Sequence, residues 1–337
     1  MTVLTTTGYA LKAISASIPS QVELNSDINW LPESEKKTLI KTIGIRKRHV
    51  SQKGQKISDL CIGAANPIFD DLKYRREDIG VLLLITQTGD HQIPSTAAIL
   101  QDKLGLSHDC IVLEVNLGCS GYVYGLWLIT ALIANLPRHK LGLLLAGDIT
   151  SMCLAKNDSG TVPLFSDAGS ATIIQKTGSD NTWHFSLHND GSRASAIKMF
   201  NVNGNKTPEF VGNSYLKLDG ISIYNFTLRQ VVPSIIDFLD QLKLSKADID
   251  FFIFHQASKI INEAMRRRLD IPLDKFPYSL EEYGNTSSAT IPVTMVTQLQ
   301  KKLNNKSLLL SGFGTGLSWV SAFLKTGSIQ ILPLVVL

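Results

Sequence analysis

Three polar residues of this chain have the types and contexts of a nucleophile and its partners. Cys119 sits in Val115-Asn116-Leu117-Gly118-Cys119-Ser120-Gly121, between an apolar run and an apolar segment of helical period. Glycines on either side permit a sharp strand-to-helix turn. Such a turn sets the sulfur at a helix N-terminus, where free N–H groups and the macrodipole favour a thiolate, the logic of a nucleophile elbow. The competing role is a buried small hydrophobe beneath a glycine turn. His255 ends the apolar run 251–254, at the carboxyl end of a strand, where α/β proteins place ligands. A lone histidine there equally suits a structural role. Asn285 lies in Tyr283-Gly284-Asn285-Thr286-Ser287-Ser288-Ala289, a polar turn opening a helix, which alone reads as an Asx turn or N-cap. Gly312-Phe313-Gly314-Thr315-Gly316 follows the run 308–310 and either presents backbone N–H groups to a substrate oxygen or merely turns the chain. No Lys-Ser/Thr follows it, so it is not a P-loop.

The elements that must hold these residues alternate. Residues 57–69 have helical period, and 81–85 form a continuous apolar run, as in a strand buried on both faces. A helix over 95–104 is opened by Pro94. A strand over 110–116, a helix over 120–135 and a strand over 141–147 follow. The second half runs helix 221–242, strand 251–254, helix 259–269, helix 291–303 and strand 308–310. This alternation predicts an α/β protein with largely parallel sheets. The chain also repeats itself. Leu72-Lys73, Asp78-Ile79 and the run 81–85 recur as Leu242-Lys243, Asp248-Ile249 and 251–254, and Leu143-Leu144-Leu145-Ala146-Gly147 recurs as Leu308-Leu309-Leu310-Ser311-Gly312. Two matches in the same order at nearly equal offsets predict a duplicated domain with halves 1–175 and 176–337.

Bulk properties narrow the function. The 337 residues are 44% hydrophobic and 18% charged, enough for a packed core, and the net charge of +4 is too balanced to imply nucleic acid. No basic-then-apolar leader opens the sequence, and the longest apolar stretch, 126–136, is about half of a bilayer span. The expectation is a cytoplasmic protein with no membrane partner. Cys61, Cys110, Cys119 and Cys153 show no Cys-x-x-Cys spacing, which argues against a disulfide framework or a zinc site, so no metal is expected. Cys61, Cys110 and Cys153 read as core residues. Papain-like proteases use Cys, His and Asn in the same order, but place the cysteine near the mature N-terminus. Here it follows a buried strand in mid-chain.

Taken together, the motifs resemble the β-ketoacyl-acyl-carrier-protein synthase III family. The match runs from Gly44-Ile45-Arg46-Lys47-Arg48-His49 through the Cys119 turn and Phe165-Ser166-Asp167-Ala168-Gly169-Ser170-Ala171 to His255-Gln256-Ala257-Ser258, the Asn285 turn and residues 312–316. The resemblance implies a thiolase-like fold of two duplicated βαβαβ halves in α-β-α-β-α layers, and a homodimer needing no cofactor. It implies that Cys119 takes an acyl group from a thioester of coenzyme A or acyl-carrier protein. A carrier-bound malonyl group then loses CO2 and condenses with it, His255 and Asn285 donating hydrogen bonds to the enolate. The backbone N–H groups of Cys119 and Thr315 would form the oxyanion hole, with Phe313, Gly314 and Ser258 contacting substrate. Enzymes of this fold that need a glutamate base near 81–85 rank lower, because the register places Gln87 there.

The departures point to a specialised member. Thr38 and Ser159 stand where a tryptophan and an arginine grip coenzyme A, although Trp30 is near. Ser258 and Ile260 replace an asparagine and a carrier-docking arginine, with Lys259 beside them. An acyltransferase passing its acyl group to a hydroxyl or amine is the alternative, and a catalytically silent partner subunit is a third reading that the presence of Cys119 opposes. Met265-Arg266-Arg267-Arg268 reads as a solvated helix face or a dock for an acidic carrier protein, and Asp90 and His91 read as non-catalytic loop residues.

Overall fold

The computed structural model describes residues 2–199 and 215–337. Among these residues most strands gather into two large sheets. One has seven strands in the order Gln330–Ile331, Tyr9–Ile18, Ala168–Lys176, Leu141–Asp148, Ile79–Ile85 and Ile111–Val115, with Val335–Val336 also pairing to Tyr9–Ile18. The other has five, in the order Leu4–Thr7, Thr182–Asn189, Ser318–Lys325, Ser307–Gly314 and Phe251–Phe254. The first and last strands of the chain thus cross over, each joining the sheet built mainly from the opposite half.

The apolar runs became the buried parallel strands. Every residue of Ile79–Ile85 and of Leu141–Asp148 is buried, and these two strands pair in parallel. Phe251–Phe254 and Ser307–Gly314, their counterparts in the repeat, also pair in parallel. The sheets are nevertheless mixed, which corrects the expectation of largely parallel sheets. Ala168–Lys176 and Ser318–Lys325 run antiparallel to their neighbours. The turn of residues 315–317 before Ser318–Lys325 is far too short for a parallel crossover. These strands carry many small and polar residues, so no apolar run announced them.

Five layers result. Between the sheets lie Gly121–Ile133 and Thr290–Gln298, whose Leu126, Ile129, Ile291 and Val293 pack with Leu83, Ile174, Leu310 and Val320. A helix here must be apolar all round, and each fully buried Leu or Ile contributes about 1.5–3 kcal/mol. Ile57–Asp70 and Thr96–Lys103 cover the outer face of the first sheet. Gly220–Phe226, Val232–Leu242 and Lys259–Arg268 cover that of the second. The expected helix 221–242 contains a π turn over Thr227–Val231, and the expected helix 291–303 ends at Gln298. No helix among the described residues is long and apolar enough to cross a membrane.

Candidate active site

Cys119 lies just before the Ser120 N-cap of Gly121–Ile133, where that central helix meets the carboxyl end of Ser307–Gly314. A β-carbon on Gly314 would lie 2.9 Å from Cys119 Cβ and 3.2 Å from its Sγ, so only glycine lets this strand pass under the nucleophile. Ser120 Oγ meets Ser318 Oγ at 2.6 Å, and Ser318 Oγ donates to the Thr315 carbonyl at 2.8 Å, tying the elbow to the turn of residues 315–317; the strand expected over 308–310 runs on to Gly314. The glycines flanking Cys119 act differently from expectation. Neither Gly118 nor Gly121 has a positive φ. They are needed for space instead, because a β-carbon would come within 2.3 Å of Gln87 or Ile85 respectively.

The thiolate expected at this helix start is not favoured either. Burial, and next the charge of Asp148, push the Cys119 thiol up to about 12, and a bond from Ser287 opposes them only in part. The half-buried sulfur faces cavity rather than bulk solvent, so its exposed area gives little solvation. Cys119 at neutral pH is therefore a thiol that must lose its proton when a thioester arrives.

His255 directly follows Phe251–Phe254, and its N–H donates to Ser311 of the neighbouring strand at 2.8 Å. Its carbonyl accepts from Asn262 Nδ2 at 2.9 Å, and its ring stands edge-on to Phe313 with centroids 5.4 Å apart. The imidazole is buried, which pushes it down to about 3, so it is neutral. Its Nδ1 lies 2.6 Å from the Thr290 hydroxyl, which is also 2.7 Å from the Ser287 carbonyl. That hydroxyl has one proton. Given to the Ser287 carbonyl, that proton leaves Nδ1–H as the donor to Thr290 and Nε2 bare; given to Nδ1, it sets the ring proton on Nε2, as a donor to the enolate requires.

Asn285 is held by the first half of the chain. Its N–H donates to the Leu164 carbonyl and its carbonyl accepts from Ser166 N, both at 2.9 Å. The preceding Gly284 has φ 62°, and a β-carbon there would lie 2.7 Å from Ser166 Oγ. Asn285 Oδ1 accepts from Ser287 N at 2.9 Å, an Asx turn that leaves the NH2 end to donate. Ser287 itself has φ 50°, a strained conformation for a non-glycine residue. The Gly44–His49 motif supports the same segment: His49 N donates to Ser166 Oγ at 3.1 Å, and its ring stacks on Tyr283.

Cys119, His255, Asn285, Ser258, Phe313 and Gly314 line one cavity of about 400 Å³. Thr315 lines a second cavity, about 320 Å³, which meets the first at Cys119. Sequence reasoning missed three members of this region. Asp148 is 1% exposed and accepts from Gln87 N at 2.7 Å and Ser288 Oγ at 2.7 Å, joining the two halves under the site. Thr290 orients His255. Cys153, expected in the core, is half-buried and lines the second cavity. Only Asp148 left a signal, as a lone carboxylate ending an apolar strand. Asp90 and His91 line an open cavity of about 670 Å³ that shares Gln87, Thr88, Asn116 and Cys153 with the second one. In the basic segment Met265 is buried and Arg266 and Arg267 pair with Glu263, so it is less free than its sequence suggests.

Residues 113–191 match the family model described as 3-oxoacyl-[acyl-carrier-protein] synthase III, and residues 239–326 match the model of its C-terminal part. β-Ketoacyl-[acyl-carrier-protein] synthase III of Streptococcus agalactiae serotype III is 32% identical over 312 residues, which span 91% of this chain and 96% of the relative. The chain belongs to the β-ketoacyl-acyl-carrier-protein synthase III family. Its members are condensing enzymes of the acyltransferase class, and this chain is one of them. The family protein of Streptococcus uberis is 31% identical over 91% of this chain and 96% of its own length. The crystal structure of a 3-oxoacyl-(acyl-carrier protein) synthase from Burkholderia xenovorans superposes with a TM-score of 0.92 and 30% identity, covering 100% of this chain and 99% of that one. A priming β-ketosynthase of the R1128 polyketide pathway, at 20% identity and TM-score 0.86, shares the thiolase-like fold. Thr38 and Ser159 border a cavity of about 480 Å³ that shares Leu39 and Ser159 with the site's own cavity, with Glu35 its charged wall residue.

Proposed function

We propose that Cys119 carries the acyl group of a decarboxylative Claisen condensation, with His255 and Asn285 stabilising the enolate. The convergence of these three side chains on one cavity carries this reading. The Cys119 sulfur attacks the thioester carbonyl as it loses its proton, and the donor's C–S bond breaks to release a thiol. The oxyanion of that step faces the backbone N–H groups of Cys119 and Thr315. A malonyl group on acyl-carrier protein then enters the cavity lined by His255 and Asn285, with Ser258, Phe313 and Gly314 along its wall. Loss of CO2 leaves an enolate whose oxygen accepts from His255 Nε2–H and the Asn285 NH2. Its carbon attacks the acyl-Cys119 carbonyl, the Cys119 C–S bond breaks, the sulfur takes up a proton from water to restore the thiol, and a 3-oxoacyl product leaves. A neutral histidine suits this role, because the N–H of an uncharged imidazole is too weak an acid to hand its proton to the enolate and quench it.

The same reading takes the halves 1–175 and 176–337 as the duplicated unit, and the enzyme as a cytoplasmic homodimer. Ile111–Val115 is an edge strand with Ile111 43% and Leu113 39% exposed, and Ile93 on the nearby loop is 86% exposed. Pairing along that edge with a second copy would cover them. The test is malonyl decarboxylation by Asn285→Leu and His255→Ala. Losing one oxyanion donor lowers such a rate by about 10²–10³, while Cys119 still becomes acylated. Unchanged decarboxylation in both variants would overturn the assignment.

A further inference from the structure

We propose that the acyl group carried on Cys119 bears a hydrogen-bonding substituent, a hydroxyl or carbonyl beyond the thioester, rather than a plain alkyl chain. The inference rests on the reading of Cys119 as acyl carrier. Two cavities meet at Cys119, and the one holding His255 and Asn285 must stay open for the decarboxylating arm. The acyl chain is therefore directed into the other, of about 320 Å³.

That chamber is not purely apolar. Gln87 and Asn116, just beyond the carboxyl ends of two parallel strands, form part of its wall with Thr150 and Thr315, while Phe165, Ile197, Met199 and Leu216 supply a larger apolar side. The amides are fixed. Gln87 Nε2 donates to Asn116 Oδ1 at 3.1 Å, and Gln87 Oε1 accepts from Thr315 Oγ1 at 3.3 Å. This arrangement uses the Asn116 oxygen and leaves the NH2 of Asn116, which is exposed in the single chain beside the edge strand Ile111–Val115, without a protein partner among the described residues. The Thr150 hydroxyl likewise makes no bond there, although Thr150 is only 7% exposed. An alkyl chain would strip water from these groups and return nothing, whereas a hydroxyl or carbonyl would replace the lost bonds. Sites built around such groups discriminate against the analogue that lacks the partner atom.

The experiment uses the full chain and N-acetylcysteamine thioesters in matched pairs: butyryl against (R)- and (S)-3-hydroxybutyryl, and pentanoyl against 4-oxopentanoyl. Acylation of Cys119, in which the Sγ–C bond forms and N-acetylcysteamine leaves as the thiol, is timed by intact mass. At least one polar member should react about tenfold faster than its alkyl partner. Asn116→Leu or Thr150→Val should shift that ratio about tenfold toward the alkyl chain. Thr150→Val is buried and nearly isosteric, while Asn116→Leu is exposed, so at least one variant folds, as its urea midpoint will report. Alkyl chains reacting as fast as their polar partners in the wild-type protein would overturn the inference and leave the role of Cys119 intact. A polar preference that neither variant changes would overturn the assignment to this wall. No acylation by any thioester would instead sink the reading of Cys119 itself.

Discussion

Replacing Thr290 by valine tests how the histidine is held. The Thr290 hydroxyl lies 2.6 Å from His255 Nδ1 and 2.7 Å from the Ser287 carbonyl, in a site where all three residues are buried. Valine keeps the shape and removes both contacts. The Ser287 carbonyl keeps the Thr290 backbone N–H, so only His255 Nδ1 is left unsatisfied, and the loss should be about 1–3 kcal/mol. Serine keeps the hydroxyl and loses one methyl, which costs about 1 kcal/mol. The catalytic consequence is separate. The Nε2–H tautomer needs the Thr290 hydroxyl to donate to Nδ1 rather than to the Ser287 carbonyl, so on this account decarboxylation should fall in Thr290→Val and return in Thr290→Ser. Urea unfolding of both variants, alongside their malonyl decarboxylation rates, decides the matter. A valine variant within about 0.5 kcal/mol of the serine variant, with equal rates, would refute this account of the pair.

Three further outcomes follow from the same geometry. The folded pKa of His255 lies near 3 against an ordinary 6.5, so the unfolded chain binds a proton that the folded one refuses. Its contribution to stability is therefore complete above pH 6.5 and falls as pH drops toward 3, by about 1.4 kcal/mol per unit. Asp148 and Asp167 are raised by burial and slope the opposite way, so the test is a difference: between pH 6.5 and 5.0 the wild type should lose about 2 kcal/mol more than His255→Gln, and equal losses would contradict the buried neutral ring. Gly314→Ala puts a methyl group 2.9 Å from Cys119 Cβ, so acylation should slow at least about tenfold, and an unaffected rate would mean the strand does not pass under the nucleophile. Asp148→Asn removes a negative neighbour of Cys119, so the inflection of iodoacetamide alkylation should move to lower pH; a shift upward would contradict the electrostatic role of Asp148.

What the sequence made legible was the set of elements that depend on continuous burial. The runs at 81–85 and 251–254 had to be central strands, and the apolar helix after Cys119 had to lie between layers. The mixed sheets were hidden because Ala168–Lys176 and Ser318–Lys325 earn their places by small residues and short connections rather than by apolar runs. At the site, the three residue types were readable as a set once their motifs were joined. Their supports were not. Thr290 and Ser287 act through hydroxyl and carbonyl groups placed by a strained turn, and Asp148 meets Ser288 across 140 residues of sequence. The thiol state of Cys119 is not legible in sequence, because the helix start is visible there and the burial that outweighs it is not.

Intact-protein mass spectrometry after incubation with a panel of acyl thioesters, on coenzyme A and on acyl-carrier protein, tests the central claim most directly. The account predicts a mass gain of one acyl group in the wild-type chain and none in Cys119→Ala. A folded wild-type protein that gains nothing from any donor, or an adduct that persists in Cys119→Ala, would contradict it.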